Sequence, residues 1–291
     1  MIYEKVSLPF GGKENANLTL YCPDVYKTSV VRKLPTILVI PGGGYANCSV
    51  REGEPIALHF LSRGFAAAVL RYSVKEDARF PQPLCEAALA MAYLRENAEE
   101  YHIDPNRIFT CGFSAGGHLA LSLGVFWHQP WLSEAVGKDN ELLRPNGQIL
   151  SYPVVTSDPT FRHKGTILRA MAERDDEETL QLVSLEKQVS EHTPPTFLWT
   201  TVMDTIVPYK NSLVLAMALE EHQIPNEFHL YGWAGHGLAL GSRITQKDSN
   251  QNKPIERNQN NPHIATWLSL CSEWLEVTFG VEKAPIPEDD Q

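Results

Sequence analysis

The sequence lacks the marks of several large protein classes. Its five cysteines, Cys22, Cys48, Cys85, Cys111 and Cys271, are odd in number, scattered and without a C-x-x-C pair. That excludes a disulfide scaffold and a thiolate zinc site. Basic residues are outnumbered, 25 Lys and Arg against 35 Asp and Glu, and the formal net charge of −10 has the wrong sign for a nucleic-acid-binding face. No apolar run approaches the roughly 20 residues of a membrane span. Met1-Ile2-Tyr3-Glu4-Lys5 has no basic start leading into an apolar run and a small-residue cleavage site. Together these absences predict a cytoplasmic protein with reduced thiols, no metal, and neither a membrane nor a nucleic-acid partner. Asn17-Leu18-Thr19 and Asn47-Cys48-Ser49 match the glycosylation pattern, but without a secretory route they read as chance.

What is present fits an ordered enzyme-sized domain. Hydrophobic residues make up 43% and charged residues 21% of 291 positions, enough for a sizeable core. Short apolar runs at 36–40, 66–70, 107–111, 148–152, 196–200 and 227–231 predict buried strands. Between them, 55–62, 83–101, 116–127, 211–222 and 264–279 predict helices. In the second, Leu84, Ala88, Met91, Ala92 and Leu94 form an apolar stripe of 3.6-residue period. Strand alternating with helix predicts a single α/β domain over 1–291, a doubly wound, mostly parallel sheet with helices on both faces. Two segments break the rhythm. Residues 156–193, with Glu173-Arg174-Asp175-Asp176-Glu177-Glu178 inside, predict a small insertion, a partial cap, whose acidic run is a solvated face. The polar stretch 241–262 predicts an exposed loop.

Gly112-Phe113-Ser114-Ala115-Gly116 fits G-x-S-x-G and lies between a predicted strand and a predicted helix. In that context the serine takes a sharp strand-to-helix turn that lifts its hydroxyl above the sheet, beside a helix N-terminus that favours negative charge. The alternative is a glycine-rich turn that happens to contain serine. Pro41-Gly42-Gly43-Gly44-Tyr45 follows the first strong strand, where a loop without side chains lets backbone N–H groups reach a substrate carbonyl. A phosphate loop is the weaker reading, since neither Gly-Lys-Ser/Thr nor the spaced glycines of a dinucleotide fingerprint are present.

A serine hydroxyl needs a base to take its proton. Among ten histidines, His236 in Ala234-Gly235-His236-Gly237-Leu238 follows the last predicted strand and precedes the last helix. Asp204 follows the strand at 196–201, where a carboxylate can accept the second imidazole N–H. The order Ser114, Asp204, His236 is the one the α/β-hydrolase fold uses. Asp158 and Asp139 are the rival acids, and neither follows the strand directly before the histidine-bearing segment. His118, His163 and His192 read as packed or hydrogen-bonded structural residues.

The resemblance extends beyond these motifs. The glycine loop with Arg51-Glu52-Gly53-Glu54-Pro55, Leu70-Arg71-Tyr72-Ser73-Val74, Phe80-Pro81-Gln82-Pro83-Leu84, Ile103-Asp104-Pro105-Asn106-Arg107-Ile108 and Gly112 to Ala120 resemble bacterial acetylesterases. So do Leu150-Ser151-Tyr152-Pro153-Val154 and Thr193 to Trp199. These are acetyl-xylan-esterase-like sugar-ester hydrolases, relatives of the hormone-sensitive-lipase group, and the likeness covers about Leu18 to Leu275. It implies Ser114, Asp204 and His236 as triad and Gly43, Gly44 and Ala115 as backbone oxyanion donors. Two departures stand out: Pro41 where many relatives have histidine, and Trp199-Thr200-Thr201 where Trp-His-Thr is more usual.

The expected function is a carboxylesterase removing acetyl or other short acyl groups, with sugars or xylan fragments as the implied alcohol. No cofactor is called for, the partner is a small-molecule ester, and a homo-oligomer is compatible with the sequence. A prolyl-oligopeptidase-type peptidase is the alternative enzyme. A hydrolase-like binding module without activity is the alternative outside enzymology, and such modules usually lose a triad member.

Overall fold

The computed structural model describes residues 1–14, 16–26, 31–171, 176–246 and 260–280. All six expected strands form, as β3 (Leu34–Ile40), β4 (Ala66–Arg71), β5 (Ile103–Phe113), β6 (Gly147–Ser151), β7 (Thr196–Thr201) and β8 (Asn226–Tyr231). Two further strands precede them, β1 (Ile2–Ser7) and β2 (Asn17–Cys22). The sequence of β1 carries little signal because the strand, on the sheet edge, buries almost nothing. The order is β1-β2-β4-β3-β5-β6-β7-β8. β2 is antiparallel to both neighbours, and every pairing from β4 to β8 is parallel. This is the α/β-hydrolase arrangement, as the sequence predicted.

Ten helices fall among the described residues: α1 (Glu54–Leu61), α2 (Gln82–Glu96), α3 (Ala115–Phe126), α4 (Pro130–Val136), α5 (Asn140–Leu143), α6 (Lys164–Ala170), α7 (Glu177–Leu182), α8 (Lys210–Glu221), α9 (Pro262–Ala265) and α10 (Trp267–Phe279). Alternation along the strands sends side chains into two cores. Ile37, Val39, Phe109, Cys111, Phe197 and Trp199 meet Phe60 of α1 and Trp267 and Cys271 of α10. Leu38, Ile40, Leu150 and Leu198 meet Met91 of α2, Leu119 of α3 and Leu215 of α8. Helices therefore cover both faces.

Boundaries differ in two places. The helix expected to reach residue 101 stops at Glu96, because the Asn97 amide donates to the Tyr93 carbonyl at 2.8 Å and Ile103 N–H turns back to Ala98 O at 2.7 Å. The final helix is split at Thr266, whose hydroxyl donates to His263 O at 2.6 Å. Residues 156–193 carry α6 and α7. Asp176, Glu177 and Glu178 of the acidic run are exposed, while Glu173, Arg174 and Asp175 lie outside the described residues. So do residues 247–259 of the polar stretch. Among the described residues no helix is long and apolar enough to cross a membrane.

Candidate active site

The parallel strands present their C-terminal ends to one edge of the sheet, and three predicted residues meet there. Ser114 leaves β5 with φ +53° and ψ −116°, a conformation costly for a residue with a Cβ and kept only where the surroundings enforce it. They do: its N–H donates to Ser151 O at 3.0 Å, and its carbonyl accepts from His118 N and Val154 N, both at 3.1 Å. Asp204 lies three residues beyond β7 with its side chain wholly enclosed. Its Oδ1 accepts the N–H groups of Ile206 and Val207, each at 2.9 Å. Its Oδ2 lies 2.6 Å from His236 Nδ1.

A carboxylate only accepts, so Nδ1 carries the proton and Nε2 presents its lone pair. Nε2 lies 2.8 Å from Ser114 Oγ. The serine proton thus has a receiver, and the carboxylate stands ready to stabilise the imidazolium that would form. The Tyr152 ring, 4.9 Å centre to centre from the imidazole, packs against it edge to face.

The glycine loop runs against this turn. A Cβ on Gly42 would lie 2.6 Å from Phe113 O and 3.0 Å from Ser114 Cβ. Gly43 sits at φ +130°, and a Cβ there would fall 2.0 Å from Asn47 O, so only glycine fits. Gly42 N–H is committed to Glu52 Oε2 at 3.0 Å. Among the described residues no protein acceptor takes the N–H of Gly43, Gly44 or Ala115. These are the three donors expected for an oxyanion.

The rival assignments lie elsewhere. Asp158 closes a turn on Thr160, accepting its N–H at 2.8 Å and its hydroxyl at 2.7 Å, and those bonds pull its pKa below the usual value. Asp139 precedes α5, ahead of β6, at the opposite edge of the sheet. His192 likewise precedes β7 and packs against His128 with ring centres 4.2 Å apart. His118 is structural, as read from sequence: Nε2 donates to Val183 O and Nδ1 accepts from Tyr45 Oη, both at 3.1 Å. Burial pushes its pKa down to about 4.

A model of the BD-FAE family matches residues 18–219. The chain belongs to the BD-FAE family. Two curated relatives are similar to it: Endo-1,4-beta-xylanase B of Butyrivibrio fibrisolvens, 38% identical over 72% of this chain, and Acetylxylan esterase of Xylanibacter ruminicola, 27% identical over 79%. The chain spans 33% of the length of the first and 48% of the second. Among solved structures, the acetyl ester-xyloside bifunctional hydrolase of Caldicellulosiruptor lactoaceticus is 34% identical with a TM-score of 0.76. The match covers 90% of this chain and 88% of that one.

In this BD-FAE chain the structure adds residues to which sequence reasoning gave no role. Glu52, buried in the turn 50–52, accepts from Gly42 N–H and, at 2.8 Å, from Tyr152 Oη. Tyr152 Oη in turn accepts Ala239 N–H at 2.9 Å. Arg51 donates to Thr245 O at 2.5 Å and to Gly237 O at 2.8 Å. One short turn therefore ties the glycine loop to the loop carrying His236. All three residues stood inside motifs of the family resemblance, which was the only signal. The contacts that link the two loops join residues 87 to 194 positions apart in sequence, beyond what local pattern reports.

Proposed function

We propose that this chain is a serine carboxylesterase that removes acetyl and other short acyl groups from sugars, xylo-oligosaccharides foremost, with Ser114, Asp204 and His236 as its triad. The observation that carries this is the unbroken line Asp204 Oδ2 to His236 Nδ1 (2.6 Å) and His236 Nε2 to Ser114 Oγ (2.8 Å). Ser114 Oγ attacks the ester carbonyl while His236 Nε2 takes its proton. The oxyanion is held by the N–H groups of Gly43, Gly44 and Ala115, each such donor being worth about 3 kcal/mol in the transition state. His236 then protonates the leaving alcohol, and water, activated by the same ring, releases the acid and restores Ser114.

The short acyl group and the sugar rest on kinship: the acetylxylan esterase and the acetyl ester-xyloside hydrolase carry those substrates in their names. The segment 156–193 acts as a partial cap in this reading, since Arg169 of α6 donates to Gly44 O at 3.1 Å.

The test is acetate release from acetylated xylo-oligosaccharides, together with a p-nitrophenyl ester series from C2 to C12 and labelling by a fluorophosphonate. The expected result is label on Ser114, preference for C2 to C4, and release of acetate from the sugar. Absence of label in folded protein would favour a binding module. Faster turnover of C10 than C2, or of an aminoacyl nitroanilide than p-nitrophenyl acetate, would overturn the short-chain esterase.

A further inference from the structure

Helix α6 and the residue that caps it lie against the glycine loop at Gly44. Arg169 gives its Nη1 to Gly44 O (3.1 Å) and Gly165 O (3.0 Å). His163 caps the helix: its Nδ1 lies 3.3 Å from Thr166 N and 2.7 Å from Thr166 Oγ1. A backbone amide can only donate, so Nδ1 holds the lone pair and the neutral ring carries its proton on Nε2.

The neutral form is the favoured one. Burial lowers the His163 pKa, the fields of His236 and Arg169 lower it further, and Asp204 opposes them. The ring lies at the glycine loop, beside the expected oxyanion donor Gly44. Its Cε1, bonded to Nε2, lies 3.9 Å from where a Cβ on Gly44 would stand. The ring is half-buried and fixed by its cap, and among the described residues Nε2–H has no protein acceptor.

We infer that His163 is a substrate-binding residue whose Nε2–H donates to an oxygen of the sugar beside the scissile ester. The inference rests on the esterase reading above. An acetyl group ends at its methyl, and the oxyanion is met by backbone N–H groups. What remains within reach of a donor on the rim of the glycine loop is the alcohol half of the substrate. A pyranose offers a hydroxyl or ring oxygen next to every position it can be acylated at, whereas a simple alkyl alcohol offers none. The contact gives the site a means of preferring sugar esters that the triad itself does not supply.

His163→Asn tests it. Asparagine is among the best helix caps, so the acceptor for Thr166 N–H is kept while the ring donor is lost. Two substrates of similar ring size are compared: a methyl mono-O-acetyl-xyloside and cyclohexyl acetate, which has no hydroxyl. The expected result is a fall in kcat/KM of about tenfold on the xyloside, carried mostly by KM, with cyclohexyl acetate changed less than about twofold. His163→Ser, a second capping residue, should give the same ratio, and melting curves of both variants check the fold. Equal losses on both esters, or no loss on the xyloside, would overturn the assignment. A wild-type protein that cleaves cyclohexyl acetate but not the xyloside would instead remove the sugar reading, and this contact with it. Turnover of neither would remove the esterase.

Discussion

Ser114 and His236 stand 2.8 Å apart, yet the chain holds them in opposite ways. Ser114 is locked between β5 and α3 by its immediate surroundings, with the glycine loop and the end of β6 pressed against it. His236 lies in residues 232–246, where the turn Arg243–Thr245 is the sole regular element. That loop is fixed by visitors: Arg51 on Gly237 O and Thr245 O, Tyr152 on Ala239 N–H, Thr201 on Gly235 O, and Trp267 on Ala239 O. The contrast teaches a division of labour. Damage near the serine should appear as lost folding stability, and damage around the histidine as lost rate. Asp204, buried like the first and serving the second, is the sharpest probe.

In Asp204→Asn the oxygen that receives Ile206 and Val207 N–H stays, so the new amide group turns toward His236. Nδ1 must then accept, Nε2 becomes protonated, and the base cannot take the serine proton. The expected loss is about 10⁴-fold in kcat with a near-normal melting curve. A variant that unfolds, or keeps a tenth of its activity, breaks the division.

The opposite behaviour is expected of Gly116→Ala. A Cβ there would lie 2.1 Å from Ile40 O and 2.4 Å from Pro41 O, backbone atoms at the end of β3 and the start of the glycine loop. Neither can yield without moving that strand, so about 4 kcal/mol or more of stability should be lost, read by urea unfolding. A soluble variant with full stability would show that the turn is less constrained than its geometry implies.

The same contrast governs what could be read from the sequence. The turn at Ser114 follows from residues next to one another: a β-rich strand, glycines where backbones touch, and a helix. Strands β3, β4, β6, β7 and the second half of β5 were legible for the same reason, since each carries a run of residues buried on both faces. Asp204 and His236 were legible through chain order. Tyr152, Arg51 and the Glu52–Tyr152 bond were not, because their partners lie far away in sequence, and neither was the role of His163. His163 read as a packed or hydrogen-bonded structural residue, and only the Thr166 bond that fixes its tautomer reveals a donor.

His118 carries the comparison into pH. It is neutral in the fold, with its pKa depressed to about 4, and would titrate near the ordinary 6.5 once unfolded. Between those values the unfolded chain binds more protons, so stability is fully present above about pH 6.5 and is lost as pH falls toward 4. The loss is on the order of 3 kcal/mol. His118→Gln keeps an acceptor for Tyr45 and a donor for Val183 without a titrating ring. It should flatten that part of the stability curve, measured by urea unfolding at pH 7 and pH 4.5. An unchanged slope would assign the acid sensitivity elsewhere.

The smallest effect expected is also the most telling for the histidine loop. Arg51 grips the carbonyls of Gly237 and Thr245 in the loop that carries His236. Charge-assisted bonds of this kind contribute about 1.5–3 kcal/mol each when buried, and less here because Arg51 is only half-buried. Arg51→Ala should therefore cost about tenfold in kcat through a loosened His236, while KM and the melting temperature barely move. Arg51→Lys, able to reach one carbonyl at a time, should fall between. A drop in melting temperature without a drop in kcat would mean that the turn at 50–52 braces the fold and that His236 keeps its place unaided. The loop would then be as self-sufficient as the serine turn, and the contrast between the two would vanish.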